Sequence, residues 1–393
     1  MTDEQVKALE REEDKPAAAE DPDEGLALAR RLAEEEEGMG RKPKGWSKFV
    51  VPAVAVLWCL FQLSIASWWI LDHLFVRAIH LGFALLIVYL NYPMFKKPHL
   101  GLEFLSRKER IPIWDWILAL VAAFSAVYIV VDYAGITTRY GMPINRDLVM
   151  GGVLILTLLE ATRRVIGPAL PIIAILFSVY SFLGPYMPYV IAFKGASLSR
   201  YMGQMTMSTE GIYGIPLDVS ATIVFLFVLF GSMLDKAGAG HYFIRLALAM
   251  LGGFKGGPAK AAIMGSGLTG LVSGSSIANI VTTGTFTIPL MKKVGYPPKK
   301  AAAIEVAAST DGQLAPPIMG AAAFIIAEYV NVAYIEVIKA AAVPAFASYA
   351  ALFWISHVEA SKAGLRGMSR DELPRFWETL LGGVHFLIPL FFL

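Results

Sequence analysis

The residues of this sequence best suited to chemistry are hydroxyls, amides and broken backbone. From Gly265 to Thr285, 13 of 21 positions are Gly, Ser or Thr, in the run GSGLTGLVSGSSIANIVTTGT. Downstream, Ser309-Thr310-Asp311-Gly312-Gln313-Leu314-Ala315-Pro316-Pro317 interrupts an otherwise apolar stretch. Side-chain oxygens and unwound carbonyls of this kind can replace the hydration shell of a sodium ion. Helices that restart after a break aim free N–H groups and a positive dipole end at the gap, which favours an anion. Here those donors are expected from the arm starting near Ser276 and from a half-helix starting at Pro316-Pro317. Other chemistries lack their parts. Of the histidines, His73, His80, His99, His241, His357 and His385, only His80 and His385 fall in apolar runs, so haem ligation has no clear pair. No nucleophile-plus-base arrangement, HExxH or Walker A sequence occurs, and Cys59 stands alone. The reading is of a protein that is not an enzyme and carries no resident cofactor.

Such polar runs need elements to hold them at depth. The 393 residues are 56% hydrophobic and 17% charged, with mean hydropathy +0.57. Soluble domains carry about 25% charged residues, so the chain reads as an all-α polytopic membrane protein. Net charge +2 conceals an asymmetry: residues 1–40 hold 14 acids and 5 bases, and the rest carries the compensating excess. That tail reads as solvated, with the basic cluster Arg41, Lys42, Lys44 and Lys48 behind it holding the N-terminus in the cytoplasm. No cleavable-leader pattern precedes the first apolar run near Phe49. Apolar spans follow at 49–71, 75–95, 113–133, 147–162, 168–191, 218–234, 301–328 and 341–357, with a last run from 379. With alternating spans, the outside receives only Arg77, Arg139, Arg146, Lys194, Arg200 and Lys339. The other basic residues fall inside, which is the bias of cytoplasmic loops. Spread along span ends, they form no patch for nucleic acid.

The stretch 261–291 does not fit simple alternation. Lys260 precedes it and Lys292-Lys293 follow, so both ends belong inside. Its length falls short of the roughly 40 residues that two crossings need, which predicts a re-entrant hairpin with its tip at Gly274-Ser275. Small residues also serve close helix packing without a ligand. The paired break in the next span argues for a site, because irregular backbone at depth survives only when buried in protein or lining a wet cavity. The helix is expected to unwind between Ser309 and Pro316. Asp311 reads either as an ion ligand or as a cap held by loop amides. Glu305, five residues past Lys300, reads as interfacial and locally paired, as does Glu160 beside Arg163 and Arg164.

Residues 270–324, GLVSGSSIANIVTTGTFTIPLMKKVGYPPKKAAAIEVAASTDGQLAPPIMGAAAF, resemble the large permease subunit of tripartite ATP-independent periplasmic (TRAP) transporters. The TAXI-associated type, with a four-helix small subunit fused ahead of the large one, is the most similar. GIPLDVSATIVFLFVLFGSMLDKAGAG at 214–240 and SVYSFLGPYMP at 178–188 support the resemblance. It implies an elevator-type importer of anionic organic solutes in the bacterial inner membrane, driven by sodium and fed by a periplasmic solute-binding protein. The implied sodium ligands are Ser273, Gly274, Ser275 and Asn279 in the tip, with Ser309, Thr310, Asp311 and Gly312 in the break. Ser276, Asn279, Thr282, Thr283, Pro316 and Pro317 would lie beside the substrate. Asp311 departs from a Gly-Gly pattern at this loop. The implied layout is a tail over 1–48, a four-helix domain over 49–164, and the first repeat of an inverted-repeat permease over 165–393. The family has two such repeats, each with a hairpin. These residues carry one, so the second is expected from elsewhere, such as another polypeptide. Two other readings fit the spans: a dicarboxylate or citrate symporter working without a binding protein, and a non-transporting scaffold that recruits partners through its acidic tail.

Overall fold

The computed structural model describes residues 40–95, 109–139, 141–273, 276–316 and 319–392. Among the described residues all regular structure is helical. The main helices are α1 (Val50–Ser67), α2 (His73–Asn91), α3 (Ile113–Val131), α4 (Asn145–Val165), α5 (Ala169–Leu183) and α6 (Leu198–Thr206). They continue as α7 (Ile215–Ala237), α8 (Ala239–Leu251), α9 (Gly257–Ser273), α10 (Ser276–Lys293) and α11 (Pro298–Asp311). Last come α12 (Ala321–Val330), α13 (Tyr334–Lys362), α14 (Phe376–Gly382) and α15 (Val384–Phe392). Among the described residues, six stretches are long and apolar enough to cross a membrane: Gly45–Ser67, His73–Asn91, Ile113–Val131, Ala169–Tyr186, Ile215–Ala237 and Tyr334–Lys362. This is the layout of a multi-pass membrane protein. Helix α4 is as long but carries Arg146, Asp147, Glu160, Arg163 and Arg164.

Small residues set the first core. Ala119, Ala122 and Ala126 of α3 pack on Ala78, Leu81 and Leu85 of α2, a close approach that substitutes for a hydrophobic drive in lipid. Two tyrosines fasten this core to its neighbours. Tyr89 donates from its hydroxyl to the Thr157 carbonyl at 2.7 Å, and Tyr213 to that of Ala126 at 2.7 Å. Arg77 of α2 reaches Asp218 and the Tyr213 carbonyl, both at 2.8 Å, and so ties α2 to the start of α7.

Two features correct the sequence reading. Arg41, read with the basic cluster before the first span, is not exposed. It lies buried, paired with Asp115 at the start of α3, and donates to the carbonyls of Tyr89 and Leu90 at 3.0 and 3.2 Å. Those carbonyls end α2 and lack helical partners, so the guanidinium caps them. Second, α8 is absent from the predicted spans. It turns off α7 at Gly238, whose φ of 101° suits glycine. It then packs along α9, with Gly240 beside Thr269 and Gly265 beside Ile244. At only 13 residues and with charged Arg245 within, it lacks the signature of a full crossing.

Candidate functional site

Helices α9 and α10 run antiparallel. Ser266 of α9 meets Asn279 and Thr283 of α10, while Gly270, one turn nearer the end of α9, also meets Asn279. Helix α11 lies across both. Where it ends, Gly312 rests on Gly270: a Cβ on either glycine would stand 2.9 Å from the other's Cα. Glycine is required here because two backbones touch. Past this contact the chain turns, with the Gln313 amide bonding the Thr310 carbonyl at 3.1 Å and the Gly320 amide the Gln313 carbonyl at 2.8 Å. Met319 holds a left-handed φ of 57°, a strained conformation of the kind that collects at functional sites.

A polar chain runs beneath the glycine contact. Asn279 is wholly buried. Its Nδ2 donates to the Ser266 carbonyl at 2.8 Å and to the Ser266 hydroxyl at 3.1 Å. A carbonyl only accepts, so this edge of the amide must be the NH2 and Oδ1 faces the other way. That Oδ1 is buried and has no hydrogen-bond partner among the described residues. Ser266 Oγ lies 2.7 Å from Ser309 Oγ, and Ser309 Oγ lies 3.3 Å from Glu305 Oε1. Thr283 also donates to Oε1, and Thr287 donates to Oε2 at 2.5 Å.

Glu305 does not pair with a neighbouring base. It is wholly buried between α9, α10 and α11, held by hydroxyls alone, with no cationic side chain in ion-pair reach among the described residues. Gly284 makes the room, since a Cβ there would stand 3.3 Å from Glu305 Cγ. Lys300, taken as its local partner, instead pairs with Glu359 of α13. Glu160 does pair locally, with Arg163 at 2.7 Å and Arg164 at 2.8 Å.

The structure sorts the predicted site residues. Asn279, Ser309 and Gly312 converge on Ser266 and Gly270. Thr283 is buried and turned to Glu305, whereas Thr282 bonds its own helix at the Ala278 carbonyl, 2.9 Å away. Ser276 opens α10 half-buried. Thr310 is exposed and satisfied by the Val306 carbonyl at 2.8 Å, and Asp311 faces α13, accepting from Ser348 at 2.7 Å. The break starts later than expected, because α11 stays helical through Asp311. Restart also shifts: α12 begins at Ala321 behind Gly320, not at Pro316-Pro317, and Pro316 sits in the turn. Gly274, Ser275, Pro317 and the Ser273 side chain lie outside the described residues. Sequence reasoning missed Ser266, Gly270, Thr287 and the burial of Glu305. The available signal was a lone acid within the apolar run AAAIEVAAS, where an intramembrane carboxylate is a functional candidate by default.

The sequence pattern described as "Tripartite ATP-independent periplasmic transporter, DctM component" matches residues 153–393. The chain belongs to this family. Among relatives, it is 27% identical over 305 residues to the isethionate TRAP transporter permease protein DctMQ of Oleidesulfovibrio alaskensis, covering 70% of this chain and 46% of that protein. It is 37% identical over 91 residues to the C4-dicarboxylate TRAP transporter large permease protein DctM of Vibrio cholerae, 23% of this chain and 20% of that one. With the ectoine TRAP transporter large permease protein TeaC of Halomonas elongata it shares 29% identity over 119 residues, 30% of this chain and 28% of the relative. The chain thus spans less than half the length of each of these relatives. As a TRAP permease of the DctM family, it is a multi-pass membrane transport component whose paired small-residue helices and glycine-jointed break lie inside the matched region.

Proposed function

We propose that this chain is the membrane permease part of a sodium-coupled importer of anionic organic solutes, carboxylates first among them, supplied by a periplasmic solute-binding protein. It sits in the bacterial inner membrane with its N-terminus in the cytoplasm, as the distribution of lysine and arginine around the spans supports. In this reading α9 and α10 form a re-entrant hairpin, and the sodium ion binds where they meet the break after α11. The observation that carries it is the buried, unpartnered Oδ1 of Asn279, an amide whose Nδ2 edge lies against Gly270. A buried amide oxygen left without a donor costs about 1–3 kcal/mol, and a hard cation supplies what it lacks. The residues fit such an ion: Asn279 offers a neutral oxygen, and the turn after Asp311 offers backbone carbonyls. The anionic solute is received by the free N–H groups at the starts of α10 and α12, near Ser276 and Ala321, with no arginine or lysine needed.

Uptake by the complete transporter tests this reading. Asn279→Ala removes the oxygen, and the sodium concentration for half-maximal uptake is expected to rise roughly tenfold, the worth of one lost ligand at about 1.4 kcal/mol. Unchanged sodium dependence in Asn279→Ala would remove the site.

A further inference from the structure

Glu305 is a buried carboxylate that nothing in the transport scheme above employs. An uncompensated charge is expensive to bury, so the Glu305 carboxylate ionises only together with a balancing cation, and its oxygens are met by hydroxyls from α10 and α11. Each hydroxyl has a single proton, and the charged acceptor takes it in preference to a neutral one. Thr283 and Ser309 thus point at Oε1 and Thr287 at Oε2. With the Ser309 proton committed, the 2.7 Å contact between Ser309 and Ser266 is donated by Ser266. The lone pairs of Ser266 Oγ then accept from Asn279 Nδ2 at 3.1 Å. The second Asn279 N–H goes to the Ser266 carbonyl at 2.8 Å, and the side-chain relay Asn279, Ser266, Ser309 runs with its donors toward Glu305. Such a chain polarises in one direction, so the amide is pulled toward Glu305 at its nitrogen and becomes more negative at Oδ1.

We propose that Glu305 is a positioning residue for the coupling cation. Its negative charge, relayed through Ser309 and Ser266, orients the Asn279 amide, makes the unpartnered Oδ1 a stronger ligand, and neutralises the bound ion from within the protein without touching it. The inference rests on the sodium reading of Asn279 given above. A cation at Oδ1 with no acid nearby would add net charge to a low-dielectric interior, and Glu305 turns that pair into a neutral one. The preference is for one monovalent cation, since the described residues around the chain Asn279, Ser266, Ser309 and Glu305 supply only this one charge.

Binding of radiolabelled sodium to the purified full chain in detergent micelles tests the proposal, with Asn279→Ala, Glu305→Gln, Glu305→Asp and Ser309→Ala compared under potassium competition. Glu305→Gln removes the charge and keeps the shape, and sodium affinity is expected to fall on the order of tenfold. Glu305→Asp, which restores the charge on a shorter stem, should recover part of that loss, which a merely structural role would not require. Ser309→Ala keeps the backbone and breaks the relay, so a loss of several-fold is expected even if Glu305→Gln fails to fold. Wild-type affinity in Glu305→Gln and Ser309→Ala, with weakened binding in Asn279→Ala, would overturn the role of Glu305 and leave the sodium site standing. Wild-type affinity in Asn279→Ala as well would overturn both.

Discussion

Two carboxylates, Asp115 and Glu305, are buried to a similar depth in this protein and handled in opposite ways. Asp115 accepts from Arg41 and, at 2.7 Å, from Arg164, and both guanidinium groups are buried with it. Arg164 is further tied to Glu160 and to the Tyr92 carbonyl at 3.2 Å, and it stacks over the Tyr89 ring at 4.7 Å. Each acid in the cluster meets a guanidinium, and three helices and the chain before α1 are joined by it. Among the described residues, Glu305 has hydroxyls and no cation. A compensated cluster is closed to an incoming ion, whereas an uncompensated one stays receptive. The first belongs to the frame of the molecule, and the second to the cation site proposed above.

Stability should separate them most strongly. Asp115→Asn takes from the buried Arg41 guanidinium its counter-charge and from Arg164 one of two, a loss of about 3–5 kcal/mol for a broken buried pair. Glu305→Gln removes a charge that has no partner to strand, so its melting midpoint should match or exceed the wild type. Thermal unfolding of both variants in the same detergent checks this. A large drop for Glu305→Gln would make Glu305 a frame residue like Asp115.

A smaller effect is expected at the glycine contact. Gly270→Ala places a methyl group 2.9 Å from the Gly312 Cα and 3.3 Å from Asn279 Nδ2. Backbone cannot swing aside as a side chain does, so α9 and the break must part, at about 1–3 kcal/mol for overpacking. Sodium binding should weaken with it, because the shift acts on Asn279 directly. In the frame, Gly152 offers a control: a Cβ there meets nothing nearer than Met202 Cε at 3.9 Å. Gly152→Ala should leave melting and binding as they were, and equal losses in both variants would mean that the contact is not special.

Most of the frame was legible in the sequence. Apolar runs of membrane length located the six crossing-length helices, because hydropathy averages over many residues and tolerates local errors. Lengths were less well read: α13 spans Tyr334–Lys362 against an expected 341–357, since the charged residues at its ends lower the apolar average while the helix continues. Short α8 was missed because, at 13 residues with Arg245 inside, its apolar run falls short of a crossing, although its apolar residues recur at helical spacing. At the site, composition and the double proline marked the two segments, and the family resemblance named Asn279, Ser309 and Gly312 within them. The direction of each side chain could not be read. Asp311 and Thr310 sit beside Ser309 in sequence, yet one helical position apart is 100° of rotation, which turns them to α13 and to the outside. Glu305 was misread because distance from Lys300 was measured along the helix, when what decides pairing is the face on which each residue lies.

The weakest test concerns a third carboxylate, which completes the contrast. Asp132 follows α3 outside the spans, half-buried, and accepts from Arg139 and Arg146. Arg139, donating to it, holds its carboxyl below the usual carboxylate range, with the charges of Arg139 and Arg146 acting in the same direction. A depressed folded-state value means that the bonds to Asp132 contribute fully above the unfolded carboxylate pKa, about 3.9, and are lost as pH falls through the folded value. Water shares this cluster, so the contribution is small and screened by salt. The melting midpoint of the wild type should therefore decline on the acid side slightly more than that of Asp132→Asn, and the difference should shrink at high salt. Asp115, closed off by its arginines, should show no such salt response in the corresponding comparison with Asp115→Asn. If salt moved the Asp115 effect as much as the Asp132 effect, the cluster around Asp115 would be open to solvent ions, and the division between a sealed frame and a receptive carrier site would fail there.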